Sequence, residues 1–298
     1  MCSNRIDLGR YVVISVWFGC NNDCTICMLS GIKRALPAIG LERFKKVLGE
    51  IVASGRFDGL ILSGAEVTTC PELEAYVRHA ASLGRFKKIQ IQTNGRRLSD
   101  RGRLEGLIES GVNEFFVSIH GLEEIHDATT QRPGSFKETV AGLRNLADYR
   151  VNVISNTVLT RRSSAGIRDL FDFLAGERLS EIHLWNFFPM APQDSRGQVV
   201  SLQELVDLLP GLAATAGSAG KQLVLKGFPE CLPAPPPAVF DNVFPVTILP
   251  DRFWMEFGAC GFGACVHRQA CTAKGCWGLS SAYLEAYGDE HDRLAPVG

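Results

Sequence analysis

The sequence predicts an α/β fold, a partial (β/α)6 TIM-like barrel with a C-terminal cysteine-rich segment. Two patterns carry that expectation. Six apolar, β-branched runs are each followed by a stretch with helical spacing, which implies parallel strands joined by right-handed crossovers. The conspicuous polar residues also fall at the C-terminal ends of those runs, where barrel enzymes assemble their sites. A doubly wound open sheet shares this tendency and is the structural rival.

Taken in order, the first strand is Tyr11 to Trp17, and apolar residues at helical spacing follow from Leu41 to Ala53, with Gly55 as a stop. Strands are expected at 58–63, 88–93, 113–119, 151–158 and 181–188. The intervening helices are expected at 71–83, 99–110 with Ser99 as cap, 135–146 and 166–174, with 202–214 after the sixth strand. A seventh apolar run, 221–226, leads into Gly227-Phe-Pro-Glu-Cys231, and Pro233-Ala-Pro-Pro-Pro237 then reads as a stiff connector. A compact segment with Cys260, Cys265, Cys271 and Cys276 follows, and the tail from Trp277 to Gly288 reads as a short closing helix. The expected division is a barrel over 1–220 and a C-terminal unit over 221–298.

Composition narrows the function. The 298 residues carry a net charge of −1, so no overall basic field draws in nucleic acid. The first residues hold no apolar core for a signal peptide, and no apolar run approaches a membrane span. Ten cysteines without a secretion signal favour metal or redox chemistry in a reducing, cytoplasmic setting over a disulfide framework.

The chemistry is concentrated in Cys20-Asn-Asn-Asp-Cys24-Thr-Ile-Cys27, on a loop leaving the first strand. Three thiolates at this spacing can each ligate one iron of a cubane cluster and leave the fourth iron open, where most iron–sulfur proteins supply four cysteines. Zinc is the rival, but the next cysteine is Cys70 and the first histidine His79.

At these residues the chain resembles the radical S-adenosylmethionine (radical SAM) superfamily, over roughly 10–215. The resemblance favours the partial barrel over the open sheet. It implies a [4Fe–4S] cluster on Cys20, Cys24 and Cys27 whose open iron chelates SAM, and a flavodoxin- or ferredoxin-type reductant. Cleavage of SAM then yields a 5′-deoxyadenosyl radical that takes hydrogen from an unactivated C–H bond. Ser63-Gly-Ala-Glu66 stands where the family has Gly-Gly-Glu-Pro, and implies a Glu66 contact to the SAM ammonium. Thr93 and Asn94, at the end of the third strand, are implied among the SAM-binding residues; Ser118 and Asn156 are implied at the ribose or carboxylate, and Arg132 at the carboxylate. Ile26 replaces a commonly aromatic residue and is expected to pack on adenine.

Related proteins often carry a second, auxiliary [4Fe–4S] cluster. The resemblance implies Cys231, Cys265, Cys271 and Cys276 as its ligands, leaving Cys260 free; the swap, with Cys231 free, is the alternative. A structural zinc site or buried thiols are the bland readings. Cys2 and Cys70 read as bystanders. Within the superfamily the sequence is similar to aminoglycoside epimerases of the neomycin C to neomycin B type. There a free thiol returns hydrogen on the face opposite to abstraction and inverts C5‴. Glu123, Glu124 and Asp127 are candidate acids for such a polycation. The enzymatic alternatives are a peptide maturase or an alcohol dehydrogenase that uses the auxiliary cluster as electron acceptor; the non-enzymatic one is a zinc scaffold.

Overall fold

The computed structural model describes residues 8–190, 197–258, 261–273 and 275–298. Nine strands form one sheet: β1 (Tyr11–Trp17), β2 (Gly59–Gly64), β3 (Lys88–Thr93), β4 (Glu114–Ser118), β5 (Asn152–Leu159), β6 (Glu181–Asn186), β7 (Gln222–Lys226), β8 (Ala238–Phe240) and β9 (Val246–Ile248). Their order is β8-β7-β6-β5-β4-β3-β2-β1-β9, and every pairing is parallel. The helices are α1 (Leu41–Ala53), α2 (Leu73–Ser82), α3 (Arg101–Ser110), α4 (Glu123–Thr130), α5 (Ser135–Leu146), α6 (Arg161–Ser164), α7 (Ile167–Gly176), α8 (Leu202–Ser218), α9 (Asp251–Gly258) and α10 (Ser281–Tyr287).

Strands β1 and β2 are largely apolar along their length because both faces are covered, as parallel sheets require, whereas β3, β5 and β6 interleave polar residues such as Gln90, Gln92, Ser155 and His183. In β1 all residues but Trp17 are buried. Val12, Ile14 and Val16 face the helices and join the main core with Leu60, Leu62, Ile91 and Phe115. Tyr11 and Val13 point the other way and pack with Ile61, Phe116 and Ile154 in a second, smaller core. That inner core shows that the sheet curls. Three strand spacings separate β1 from β4, about 14 Å on a flat sheet, yet the Tyr11 hydroxyl donates directly to the Glu114 carboxylate at 3.1 Å.

The expected division at 220/221 falls within this sheet. Strand β7 continues it beside β6, and β8 and β9 close its two flanks, with β9 covering β1. Short strands such as β9 carry too few residues to show a period in sequence. Helix α3 starts one residue later than a Ser99 cap would place it and is capped by Asp100, whose side chain accepts from the Arg103 amide at 3.2 Å. Helices α4, α6 and α9 add to the expected set.

Helix α5 lies hard against the turn after β3. A Cβ on Gly142 would sit 2.3 Å from the Gly95 carbonyl oxygen and 3.0 Å from Leu98 Cβ. In an exposed helix Gly→Ala stabilises by up to about 1 kcal/mol. At this site Gly142→Ala is expected to do the reverse, costing about 1–3 kcal/mol through overpacking, read as a lower urea midpoint.

Candidate active site

The backbone leaves β1 into the cysteine loop, and Cys20, Cys24 and Cys27 line one cavity above the C-terminal ends of β1 to β5. The loop lacks regular structure, so its backbone groups need outside partners. Two come from the last turn of α4: the Asp23 and Thr25 amides donate to the carbonyls of Thr130 and Thr129 at 3.0 and 2.9 Å. Arg96 supplies a third anchor, donating to the Asn21 carbonyl at 2.6 Å and to Asn22 Oδ1 at 2.7 Å. Its Nε is held by Glu138 at 2.5 Å. A fourth is the Asn94 side-chain amide, which donates to Asn21 Oδ1 at 2.7 Å.

Burial pushes the Cys24 and Cys27 thiols up, Cys24 to about 12, while Cys20 is the most exposed of the three. Lys33, paired with Asp23 at 2.8 Å, lines the same cavity and opposes that shift. The Asn22 amide donates to Cys20 Sγ at 3.3 Å. A nearby cation and an N–H on sulfur favour thiolate, the form that binds iron. The donor set therefore fits a cluster.

The remaining expected residues separate into two groups. Asn156 and Ser118 are register partners on β5 and β4 and line the cavity with Ile26, Thr93 and Asn94. Asn156 Oδ1 is buried without a hydrogen-bond partner among the described residues, an arrangement that a polar ligand would complete. His120 lines the same cavity and was missed because a lone histidine after a strand carries no spacing signal.

Glu66, expected at the SAM ammonium, ties its side chain into the protein. Its side chain is wholly buried and accepts four hydrogen bonds. Oε1 accepts from the Thr68 amide at 3.0 Å and from the Thr68 and Thr93 hydroxyls at 2.6 Å each. Oε2 accepts from the Asn94 amide at 2.6 Å. Burial pushes this carboxyl up, and the Asn94, Thr68 and Thr93 donors hold it back. Glu66 thus locks the ends of β2 and β3 together. Next to it, Gly64 has a φ of +141°, and a Cβ there would overlap the Trp17 carbonyl oxygen at 1.9 Å.

Arg132 is exposed on the turn between α4 and α5 and does not line the cavity. That turn is organised instead by Asp127, which accepts from the Gly134 and Phe136 amides and the Ser135 hydroxyl. In the C-terminal segment, Cys276 and Cys265 lie close enough to raise the Cys231 thiol, a smaller effect than its burial. Cys271 Sγ accepts from the Val297 amide at 3.3 Å. Cys260 and Cys2 lie outside the described residues. Cys70 is buried in the main core.

Residues 14–174 match the family model described as the radical SAM superfamily. The chain belongs to the radical SAM superfamily. Radical SAM proteins are enzymes that consume SAM, so the zinc-scaffold reading is set aside, and membership implies a SAM-binding [4Fe–4S] cluster. Among curated relatives, the protein is 26% identical over 170 residues to the sporulation killing factor maturation protein SkfB of Bacillus subtilis (strain 168), covering 54% of this chain and 40% of that one. It is 27% identical over 155 residues to the antilisterial bacteriocin subtilosin biosynthesis protein AlbA of the same organism, covering 51% and 33%. The match thus spans less than half the length of these two relatives. Among solved structures, Streptococcus suis SuiB bound to the precursor peptide SuiA superposes with a TM-score of 0.62 at 16% identity, over 73% of this chain and 49% of that one. At that identity the likeness establishes the radical SAM partial barrel as the fold.

Two measurements check the site. Glu66→Gln places an amide N–H₂ against either the Asn94 amide or the Thr68 and Thr93 donors. Stability should fall by about 2–4 kcal/mol and SAM affinity with it, by urea titration and equilibrium dialysis. His126, beside His120, is held down to about 4 by burial, and His120 to about 3. Because the unfolded protein takes up their protons first as pH falls, stability present above about pH 6.5 drains away below it. Between about pH 6 and pH 5 the wild type should lose about 1.2 kcal/mol more than His126→Gln.

Proposed function

We propose that this protein is a peptide-modifying radical SAM enzyme that takes hydrogen from an apolar or aromatic residue held beside the cysteine loop. The observation that carries the proposal is a second cavity, inside the curl of the sheet, that abuts the first. Met28, Gly64, Gln92 and Trp185 line both. The rest of its lining is largely aliphatic and aromatic, including Val13, Ile61, Phe116, Phe244 and Phe257. Helix α9 covers it with Phe253, Trp254 and Phe257, and a cluster of Phe188, Phe244, Phe262 and Trp277 packs alongside, with Phe244 stacked on Trp277 at 4.6 Å. Such a lining excludes water and holds apolar groups.

When bound, a [4Fe–4S] cluster and SAM would supply the 5′-deoxyadenosyl radical chemistry. The protein's own residues supply the rest. Asn94, Ser118, His120 and Asn156 offer polar contacts to SAM, Ile26 packs on it, and the shared wall at Trp185 and Met28 brings substrate up to it. Cys231, Cys265, Cys271 and Cys276 remain the proposed ligands of an auxiliary cluster accepting the electron. A cytoplasmic location and a flavodoxin- or ferredoxin-type reductant complete the proposal. The names of SkfB, AlbA and SuiB's peptide partner lend it support.

An aminoglycoside substrate, with Cys260 or Cys231 returning hydrogen, has less behind it. A polycation needs carboxylates, and no Asp or Glu is among the described residues lining the substrate cavity, which instead contains Lys226. Glu123 pairs with Lys137 at 2.9 Å on the surface, Glu124 is exposed, and Asp127 caps α5.

Anaerobic incubation with SAM and reductant in deuterated water decides between them. Iron-loaded protein should form 5′-deoxyadenosine faster with a mixture of peptides rich in aromatic and aliphatic residues than with neomycin C, and Cys24→Ala should form none. Deuterium appearing in an epimerised aminoglycoside, with no response to peptides, would overturn the proposal.

A further inference from the structure

Lys226 is the last residue of β7, so it stands at the end of the sheet where the site is built. It is 2% exposed and lines the apolar cavity. Its ammonium donates to the Val243 carbonyl at 2.7 Å. It lies 4.6 Å from the Phe244 ring centre and 5.8 Å from that of Trp185, its register partner across β6. No salt bridge involving Lys226 occurs among the described residues. Asp241 acts on it only at longer range, and its own Oδ1 accepts from the Val243 amide at 3.3 Å.

An ammonium with three donors, one backbone acceptor and two aromatic faces is under-satisfied for a charge taken out of water. Burial pushes it down to about 8, which still leaves it mostly protonated at neutral pH. Stability alone does not call for such a group in an apolar pocket, since an uncharged side chain of similar length would pack there at less cost. A second orphan lies beside it. Trp185 Nε1 is buried with no hydrogen-bond partner among the described residues, and Trp185 lines both cavities.

We propose that Lys226 is the anchor for a carboxylate of the substrate, so that the molecule bound beside SAM is apolar or aromatic with an acid group next to it. The inference rests on the peptide reading above and sharpens it. The acid lies at Lys226, the apolar portion runs along Phe116 and Phe244, and the reacting C–H reaches past Trp185 toward SAM. In a peptide the acid is either the terminal carboxylate or an Asp or Glu side chain; both present the same group to the ammonium.

The test uses calorimetric titration of iron-loaded, SAM-bound protein kept anaerobic, with 3-phenylpropionate and its neutral amide as probes. Wild type should bind the acid at least about tenfold more tightly than the amide, as a charge-assisted bond in an apolar site requires. Lys226→Met should abolish the preference and Lys226→Arg should retain part of it. Equal binding of acid and amide to wild type, binding of neither, or a preference that survives in Lys226→Met overturns the anchor. The wild-type comparison decides the matter even if a variant fails to fold. N-acetylphenylalanine and an aspartyl-phenylalanine amide then separate the terminal from the side-chain source. Formation of 5′-deoxyadenosine by the wild type alone, and its response to peptides, is read separately, so loss of the peptide reading is not mistaken for loss of the anchor.

Discussion

A buried carboxylate organises the active end of this protein. Glu66 takes four hydrogen bonds from Thr68, Thr93 and Asn94, drawing the ends of two neighbouring strands together. Removing a carboxylate from water costs several kcal/mol, and only a full set of donors offsets it. The gain is position. Asn94, with its amide nitrogen held by Glu66, reaches across to Asn21 with its side chain, and Arg96 two residues on grips the Asn21 carbonyl and Asn22. A loop without secondary structure is thereby held where three sulfurs share one cavity.

The curl of the sheet makes the second cavity. Parallel strands with covered faces twist, and here the twist brings β1 close enough to β4 for Tyr11 to reach Glu114. The inner face is not filled by Tyr11, Val13, Ile61, Phe116 and Ile154 alone, and the space left opens toward the cysteine loop. Helix α9 and the aromatic residues near Trp277 cover it. One lysine, Lys226, lies in that apolar space, and no Asp or Glu is among the described residues that line it.

Legibility in the sequence followed from how many residues each feature engages. Strands β1 to β7 and helix α5 declare themselves through runs of five or more residues, apolar or β-branched in the strands and helically spaced in α5. The cysteine loop declares its chemistry through spacing. Helix α4 hid because Glu123-Glu124-Ile125-His126-Asp127 mixes charges with few apolar residues, although its last turn holds the loop. Strands β8 and β9 are three residues each, too short for any pattern to emerge.

The sequence by itself determined the parallel α/β architecture, the spacing of the cysteine loop and the strand end from which that loop leaves, because each is encoded in contiguous residues whose chemistry needs no distant partner. Tertiary structure decided what Glu66 does, where Arg132 lies and what surrounds Lys226. A charged group's role depends on its neighbours in space, and for these residues the neighbours are supplied by segments as distant in sequence as 27 residues for Thr93 and Glu66 and 41 for Lys226 and Trp185. Folding alone brings them within reach.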